Sequence, residues 1–204
     1  VVLGHLNDAK GRKLSKSLKN YGDLDELFAR HGADALRWFM YTTNQPWDPK
    51  NFDTKIVDEG VKKTFMILMN VVSFWQLSLP PGATPLPSAS SGQARQGGGA
   101  PTHPLDRWIL GETQALVNDV TKRLESYDIT GAARAIGSFV TELSTWYIRR
   151  SRDRFKDVKS TSSTTSQGGE QAQLARASLT HVLLTLSKLL APFTPFLAEY
   201  VYHA

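Results

Sequence analysis

The segment Gly11-Arg12-Lys13-Leu14-Ser15-Lys16-Ser17-Leu18-Lys19-Asn20 sets four cations within the eight residues from Arg12 to Lys19, with hydroxyls between them. A loop with Lys13 and Lys16 three apart can bring two ammonium groups onto one polyphosphate. Each lysine is a compact point charge on a long stem, suited to following charge that moves during a reaction. Attack on a nucleotide at its α-phosphate drives negative charge onto the departing pyrophosphate. A cation aimed at that charge lowers the barrier, and losing one such donor costs about 3 kcal/mol in comparable sites. The same string also reads as a solvated basic turn or a weak nucleic-acid patch, because short motifs recur by chance.

A second cluster is Trp146-Tyr147-Ile148-Arg149-Arg150-Ser151-Arg152-Asp153-Arg154-Phe155-Lys156, with four arginines and a lysine in the eight residues from Arg149 to Lys156. One cation complements a helix C-terminus, and Arg149 can pair with Asp153 one turn on. The rest are available, so Arg149, Arg150, Arg152 and Arg154 are candidates to bind an RNA phosphate backbone. A solvated arginine face is the competing reading. Trp146 or Tyr147 could offer stacking faces to RNA, but both fall on the apolar stripe and are expected in the core, as are Trp38, Trp47, Trp75 and Trp108. The five histidines are scattered without metal-ligand spacing, so no metal site is expected. No Ser-His-Asp or paired-carboxylate order is visible.

These groups sit in a chain of 204 residues with a formal charge of +5, 41% apolar and 21% charged, as in ordinary folded proteins. With no cysteine, disulfides, thiolate metal sites and a cysteine nucleophile are excluded. No apolar run reaches membrane-spanning length, and no signal peptide is visible. The first residue is Val, and Glu199–Ala204 reads as an unfinished helix. Both suggest a piece of a longer chain.

The positioning elements are mostly helices. Val1-Val2-Leu3 and Arg12-Lys13-Leu14 flank Asp8-Ala9-Lys10-Gly11, a hairpin pattern with Gly at the positive-φ position. Asp23 with Glu26 forms a capping box, and Gly32 ends that helix. A helix from Ala33 to about Tyr41 carries Leu36, Phe39 and Met40. Asp53 caps a longer one with the stripe Ile56, Val57, Val61, Phe65, Leu68, Val72 and Trp75. Further stripes run over 105–127, about 130–155 and about 173–190. Pro192 breaks the last, and Thr194-Pro195 restarts a helix as N-cap and N1. Residues 80–104 read as a flexible Pro/Gly linker and 157–172 as a polar loop. Amphipathic helices must bury their stripes on each other, so the expected fold is mainly α, an antiparallel bundle behind a short β-hairpin.

Taken in order, these segments resemble class I aminoacyl-tRNA synthetases. Lys13-Leu14-Ser15-Lys16-Ser17 resembles the KMSKS signature, with Leu in place of Met, a volume-conserving exchange. Gly32-Ala33-Asp34-Ala35-Leu36-Arg37-Trp38 resembles the run that follows it. The Pro46-Trp47 loop, Asn70-Val71-Val72-Ser73-Phe74, Leu105-Asp106-Arg107-Trp108-Ile109-Leu110, Ala132-Ala133-Arg134-Ala135-Ile136 and Ala191-Pro192-Phe193-Thr194-Pro195 continue the order. The Trp146–Phe155 run favours the isoleucyl branch. Lys19-Asn20 departs from the usual Gly-Asn after the signature.

The resemblance implies a remnant of a Rossmann catalytic domain at 1–45 and a helical anticodon-binding domain at 46–204. It implies ATP-dependent activation of isoleucine and its transfer to tRNA-Ile in a monomeric, cytoplasmic enzyme that uses ATP with Mg2+. Lys13, Ser15, Lys16 and Ser17 would meet the ATP phosphates, with Lys16 stabilising the transition state beside Lys13. Arg149, Arg150, Arg152 and Arg154 would meet tRNA. The HIGH signature is absent from these residues, so the chain alone is expected to be inactive in adenylation. A stand-alone tRNA-binding module, or a piece of a valyl or leucyl enzyme, is the alternative.

Overall fold

The computed structural model describes residues 3–15, 17, 24–79, 103–156 and 166–204. Lys16, the Asp23 cap and the 80–102 part of the linker lie outside the described residues.

Local chemistry sets the first turn. Asp8 Oδ1 accepts from the backbone N–H groups of Lys10 and Arg12, both at 2.9 Å, and Gly11 takes φ 78°. That closes the expected hairpin, but between different arms. Leu14 N–H donates to Leu6 O at 2.9 Å, so Leu6–Asn7 faces Lys13–Leu14, while Val1 and Val2 of the expected first arm lie outside the described residues. Strand β1 (Leu6–Asn7) also pairs in parallel with β2 (Lys50–Asn51), which the sequence pattern did not reveal. Two residues are too few for an alternation to register.

Helices α1 (Leu24–His31) and α2 (Ala33–Thr42) meet at Gly32, whose φ of 76° ends the first as expected. Helix α3 (Thr54–Gly60) starts at Asp53, whose carboxylate accepts from Lys55 N–H at 2.9 Å. It runs through a widened π-helical stretch, Val61–Met66, into α4 (Ile67–Ser78). The wide turn shifts the helix face. Thr64 is buried there, while Ile56, expected on the stripe, is 44% exposed in α3 because at helical spacing it lies well off the line of Val57, Val61, Leu68 and Val72.

Helix α5 (Pro104–Glu125) folds back through Tyr127 onto α6 (Ile129–Glu142), which continues through a second π-helical stretch (Leu143–Ile148) into α7 (Arg149–Lys156). The linker thus ends before His103, which caps α5, with Pro104 as its first helical residue. Tyr127 takes φ 61° to reverse the chain, which points its ring to solvent instead of onto the expected stripe.

Helix α8 (Ser166–Leu190) starts seven residues before the expected 173, within the supposed polar loop. Ala172 and Ala175 are fully buried, and this packing outweighs the poor helix propensity of Gly168-Gly169. Helix α9 (Pro195–His203) follows the Pro192 break. Leu68, Ile109, Ile136, Leu143, Leu183 and Leu186 bring α4 through α8 into one core, while Ala35, Phe39 and Val57 form a smaller one. The result is a mainly α protein, a helical bundle with a minimal parallel sheet.

Candidate signature loop and nucleic-acid interface

The loop that carries Lys13 is tied at both sides. Asp8 holds Arg12 by Nε–H···Oδ2 and Nη2 contacts, both 2.8 Å, so Arg12 is committed to the turn. Lys13 bridges Asn7 through its backbone and leaves its side chain exposed. The Ser15 and Ser17 hydroxyls lie 2.7 Å apart, and Ser17 N–H donates to Ser15 Oγ at 3.3 Å. Lys13, Ser15 and Ser17 therefore share one short loop, while Lys16 between them is outside the described residues.

What holds this loop to the bundle is the stretch 42–50. Gly4 N–H donates to Pro46 O, and Lys50 N–H to His5 O, both at 2.9 Å. Lys50 is 7% exposed, and its ammonium donates to Asn44 O, Asn44 Oδ1 and Gln45 O at 2.9, 2.8 and 2.6 Å. Burial lowers its pKa, and Asp48 partly restores it. The bundle grips the same stretch. Arg134 donates to the Thr42 and Thr43 carbonyls at 2.8 and 2.5 Å, Thr130 to Asn44 O at 2.9 Å, and Gln45 to Asp128 Oδ1 at 2.9 Å. The Gln45 amide, the Gly131 N–H and Arg123 keep the Asp128 carboxyl below its ordinary pKa. Trp47, expected in the core, is 55% exposed on this stretch.

The arginine cluster divides in two. Arg149, Arg150 and Arg152 are exposed on the outer side of α7. Arg154 turns inward. Its Nη1 and Nη2 donate to Asp106 Oδ1 and Oδ2 at 2.8 and 2.6 Å, with side-chain exposures of 15% and 0%. That pairing engages its guanidinium inside the bundle, unlike Arg149, Arg150 and Arg152. Burial pulls the Arg154 pKa down, but the Asp106 hydrogen bonds and charge outweigh it and leave the guanidinium raised. Tyr147, fully buried as expected, donates to Asp106 Oδ1 at 2.8 Å, and burial first, then Asp106, push its phenol far above its ordinary pKa. Trp146 departs from expectation. It is 44% exposed, its ring lies edge-on to Trp108 at 6.4 Å, and Arg150 Cζ sits 3.6 Å from the ring centroid.

Asp106 was missed as a site-forming residue, although an acid in the first turn of an apolar-striped helix was a visible signal. Among the described residues no group of three or more His, Asp or Glu side chains gathers to hold a metal, and no helix is long and apolar enough to cross a membrane.

Comparison with known proteins agrees with this layout. Residues 106–204 match the anticodon-binding domain of tRNA ligases, and residues 1–51 match class I tRNA synthetases of the I, L, M and V group. The isoleucine–tRNA ligase of Deinococcus radiodurans is 39% identical over 202 residues, 99% of this chain and 17% of that protein. That of Dehalococcoides mccartyi is 40% identical over 203 residues, again 99% of this chain, and 18% of that protein. In fold, a methionyl-tRNA synthetase of Mycobacterium tuberculosis in complex with methionyl-adenylate matches 97% of this chain and 36% of its own, with TM-score 0.72 at 15% identity. A LeuRS–tRNA–LeuAMS ternary complex from Agrobacterium radiobacter K84 matches 98% of this chain and 22% of its own, with TM-score 0.61 at 21% identity. The chain spans less than a fifth of the length of these curated relatives. Its first 51 residues match the class I tRNA synthetases, residues 106–204 match the anticodon-binding domain of tRNA ligases, and its sequence relatives are isoleucine–tRNA ligases.

Proposed function

We propose that this chain is the stretch of an isoleucine–tRNA ligase that joins the end of the catalytic domain, residues 1–45, to the helical anticodon-binding domain, residues 46–204. The full-length protein activates isoleucine with ATP and transfers it to tRNA-Ile, as a monomer in the cytoplasm. The observation that carries this reading is the 39% identity to an isoleucine–tRNA ligase over 99% of the chain, spanning both the signature loop and the bundle.

The roles follow from the chemistry of each group. Lys13, Ser15, Lys16 and Ser17 meet the ATP phosphates. Their hydroxyls and backbone N–H groups offer hydrogen bonds, and the two lysines offer charge. Lys16 follows the charge that builds on pyrophosphate. Magnesium enters with ATP as part of the substrate. Arg149, Arg150 and Arg152 track the tRNA backbone, and Arg154 holds the helix that presents them.

The test uses two proteins. In the full-length enzyme, Lys16→Ala lowers isoleucine-dependent ATP–pyrophosphate exchange about 10²-fold or more. The 204-residue chain alone gives no exchange but binds tRNA in a salt-sensitive way. Full activity of the Lys16→Ala enzyme, or absence of tRNA binding even at low salt, would count against the reading.

A further inference from the structure

Trp146 is out of place for a residue on a core-forming run. Its neighbour Tyr147 is fully buried and Leu143, one turn back, is too, yet Trp146 is 44% exposed. The π-helical stretch Leu143–Ile148 contains all three, and the extra residue in its turn changes which side chains face the core. Trp108 of α5 meets the ring edge-on at 6.4 Å and braces it. Arg150, one turn further on, places its guanidinium carbon 3.6 Å from the ring centroid, the thickness of a π-stack. Arg149 and Arg152 are exposed on the same helix. Glu142 and Asp153 are the carboxylates nearest to them in sequence.

We infer that Trp146 and Arg150 form a stacking platform for an unpaired nucleobase of bound RNA, beside the phosphate-tracking Arg149 and Arg152. This rests on the RNA-binding reading above and adds the group that is bound and where. Bases splayed from a loop stack on aromatic rings and on arginine planes, whereas bases inside a duplex present no free face. A single indole paired with a guanidinium is too small and too polar to serve as an apolar protein-docking patch. Exposed cations on the same helix, Arg149 and Arg152, suit the phosphates next to a stacked base.

The test uses the whole 204-residue chain and an RNA stem-loop with the anticodon arm of tRNA-Ile, carrying 2-aminopurine at one loop position at a time. Wild type is expected to quench the fluorescence at one or more loop positions. Trp146→Leu abolishes that quench and weakens binding roughly five- to hundredfold, the range for losing one stacked base. It leaves the dependence of affinity on salt unchanged, because no charge is lost. Arg150→Lys keeps the charge but not the plane, and reduces the quench at the same salt slope. Arg149→Ala does the reverse, keeping the quench and lowering the salt slope by about one. Melting curves check the fold of each variant. Should Trp146→Leu fail to fold, Trp146→Phe, with a smaller ring and an intermediate quench, carries the test with Arg150→Lys. If these variants bind and quench as wild type does, the platform is wrong and the RNA-binding reading stands. If wild type itself binds no RNA, both fall.

Discussion

Arg154 reaches across 48 residues to hold both carboxylate oxygens of Asp106, at 2.8 and 2.6 Å, while Tyr147 donates to the same carboxylate at 2.8 Å. The carboxylate is fully buried and therefore needs every donor it receives. Removing one partner of such a pair leaves a charge uncompensated, which costs about 3–5 kcal/mol. For a chain of this length that lowers Tm by roughly 10 °C. Arg154→Ala is expected to show this loss in a thermal melt, and Arg150→Ala to show little. Equal melting of Arg154→Ala and wild type would mean that α7 is held by other contacts.

A second long-range clamp sits at the corner between α8 and α9. Asp34 Oδ2 accepts from Leu197 N–H at 2.7 Å, and Arg37 donates to Phe193 O and Pro192 O, both at 2.8 Å. The expected cap residue, Thr194, makes no side-chain cap bond, so Asp34 caps α9 from another helix. Arg37→Ala should release this corner. Amide hydrogen exchange would rise in α9 while α5 and α6 stay protected, and uniform protection would refute the clamp.

The Asp34 carboxyl lies above its ordinary pKa because burial outweighs the lowering by the Leu197 N–H, Arg37 and the Phe196 N–H. The native state therefore binds this proton more readily than the unfolded state does. The ionised group costs stability at neutral pH, and that cost is relieved as pH falls toward 3.8. Asp34→Asn keeps an acceptor without the charge. Its Tm relative to wild type should be more favourable at neutral pH than near pH 4, and a pH-independent difference would contradict the assignment.

These clamps show where sequence reading ends. The helices were legible because their apolar stripes repeat over many turns, and Gly11 and Gly32 because positive φ selects glycine. The Arg149–Arg152 face was legible as a cluster of charge. Arg154 was read with it, since nothing in the string Arg152-Asp153-Arg154 tells an outward from an inward guanidinium. That depends on Asp106, in another helix. Trp146 departs from the stripe because a π-helical turn shifts the face of a helix without a composition signal. Strand β2 was missed because two residues carry no period.

Gly4 tests the attachment of the signature loop. A Cβ at this position would collide with the Asp48 carbonyl, backbone that cannot swing aside as a side chain can. Gly4→Ala must therefore push β1 away from the 46–50 stretch and strain the Lys50 N–H bond to His5 O. Exchange protection should fall at Gly4, Lys50 and Phe52 while the bundle core keeps its own. In the full-length enzyme, pyrophosphate exchange should fall with little change in affinity for tRNA. A parallel loss of tRNA binding would mean that the junction and the bundle unfold together.

His103 offers a pH test at the start of α5. Its Nδ1 accepts from Leu105 N–H at 3.2 Å, which requires an unprotonated nitrogen. Burial lowers its pKa, Arg154 lowers it further, and Asp106 opposes both. The folded pKa is thus below the unfolded value of 6.5, and the native state takes up this proton less readily. The stability the cap contributes is present above 6.5 and is lost as pH falls below it. His103→Asn supplies a neutral cap acceptor with no such titration. Wild type and His103→Asn should keep a constant Tm difference above roughly pH 7.5. Below about pH 6.5 wild type should lose ground, with the difference growing until the folded-state pKa is passed. Curves that stay parallel from roughly pH 8 to 5 would show that the ring does not cap the helix as a neutral acceptor.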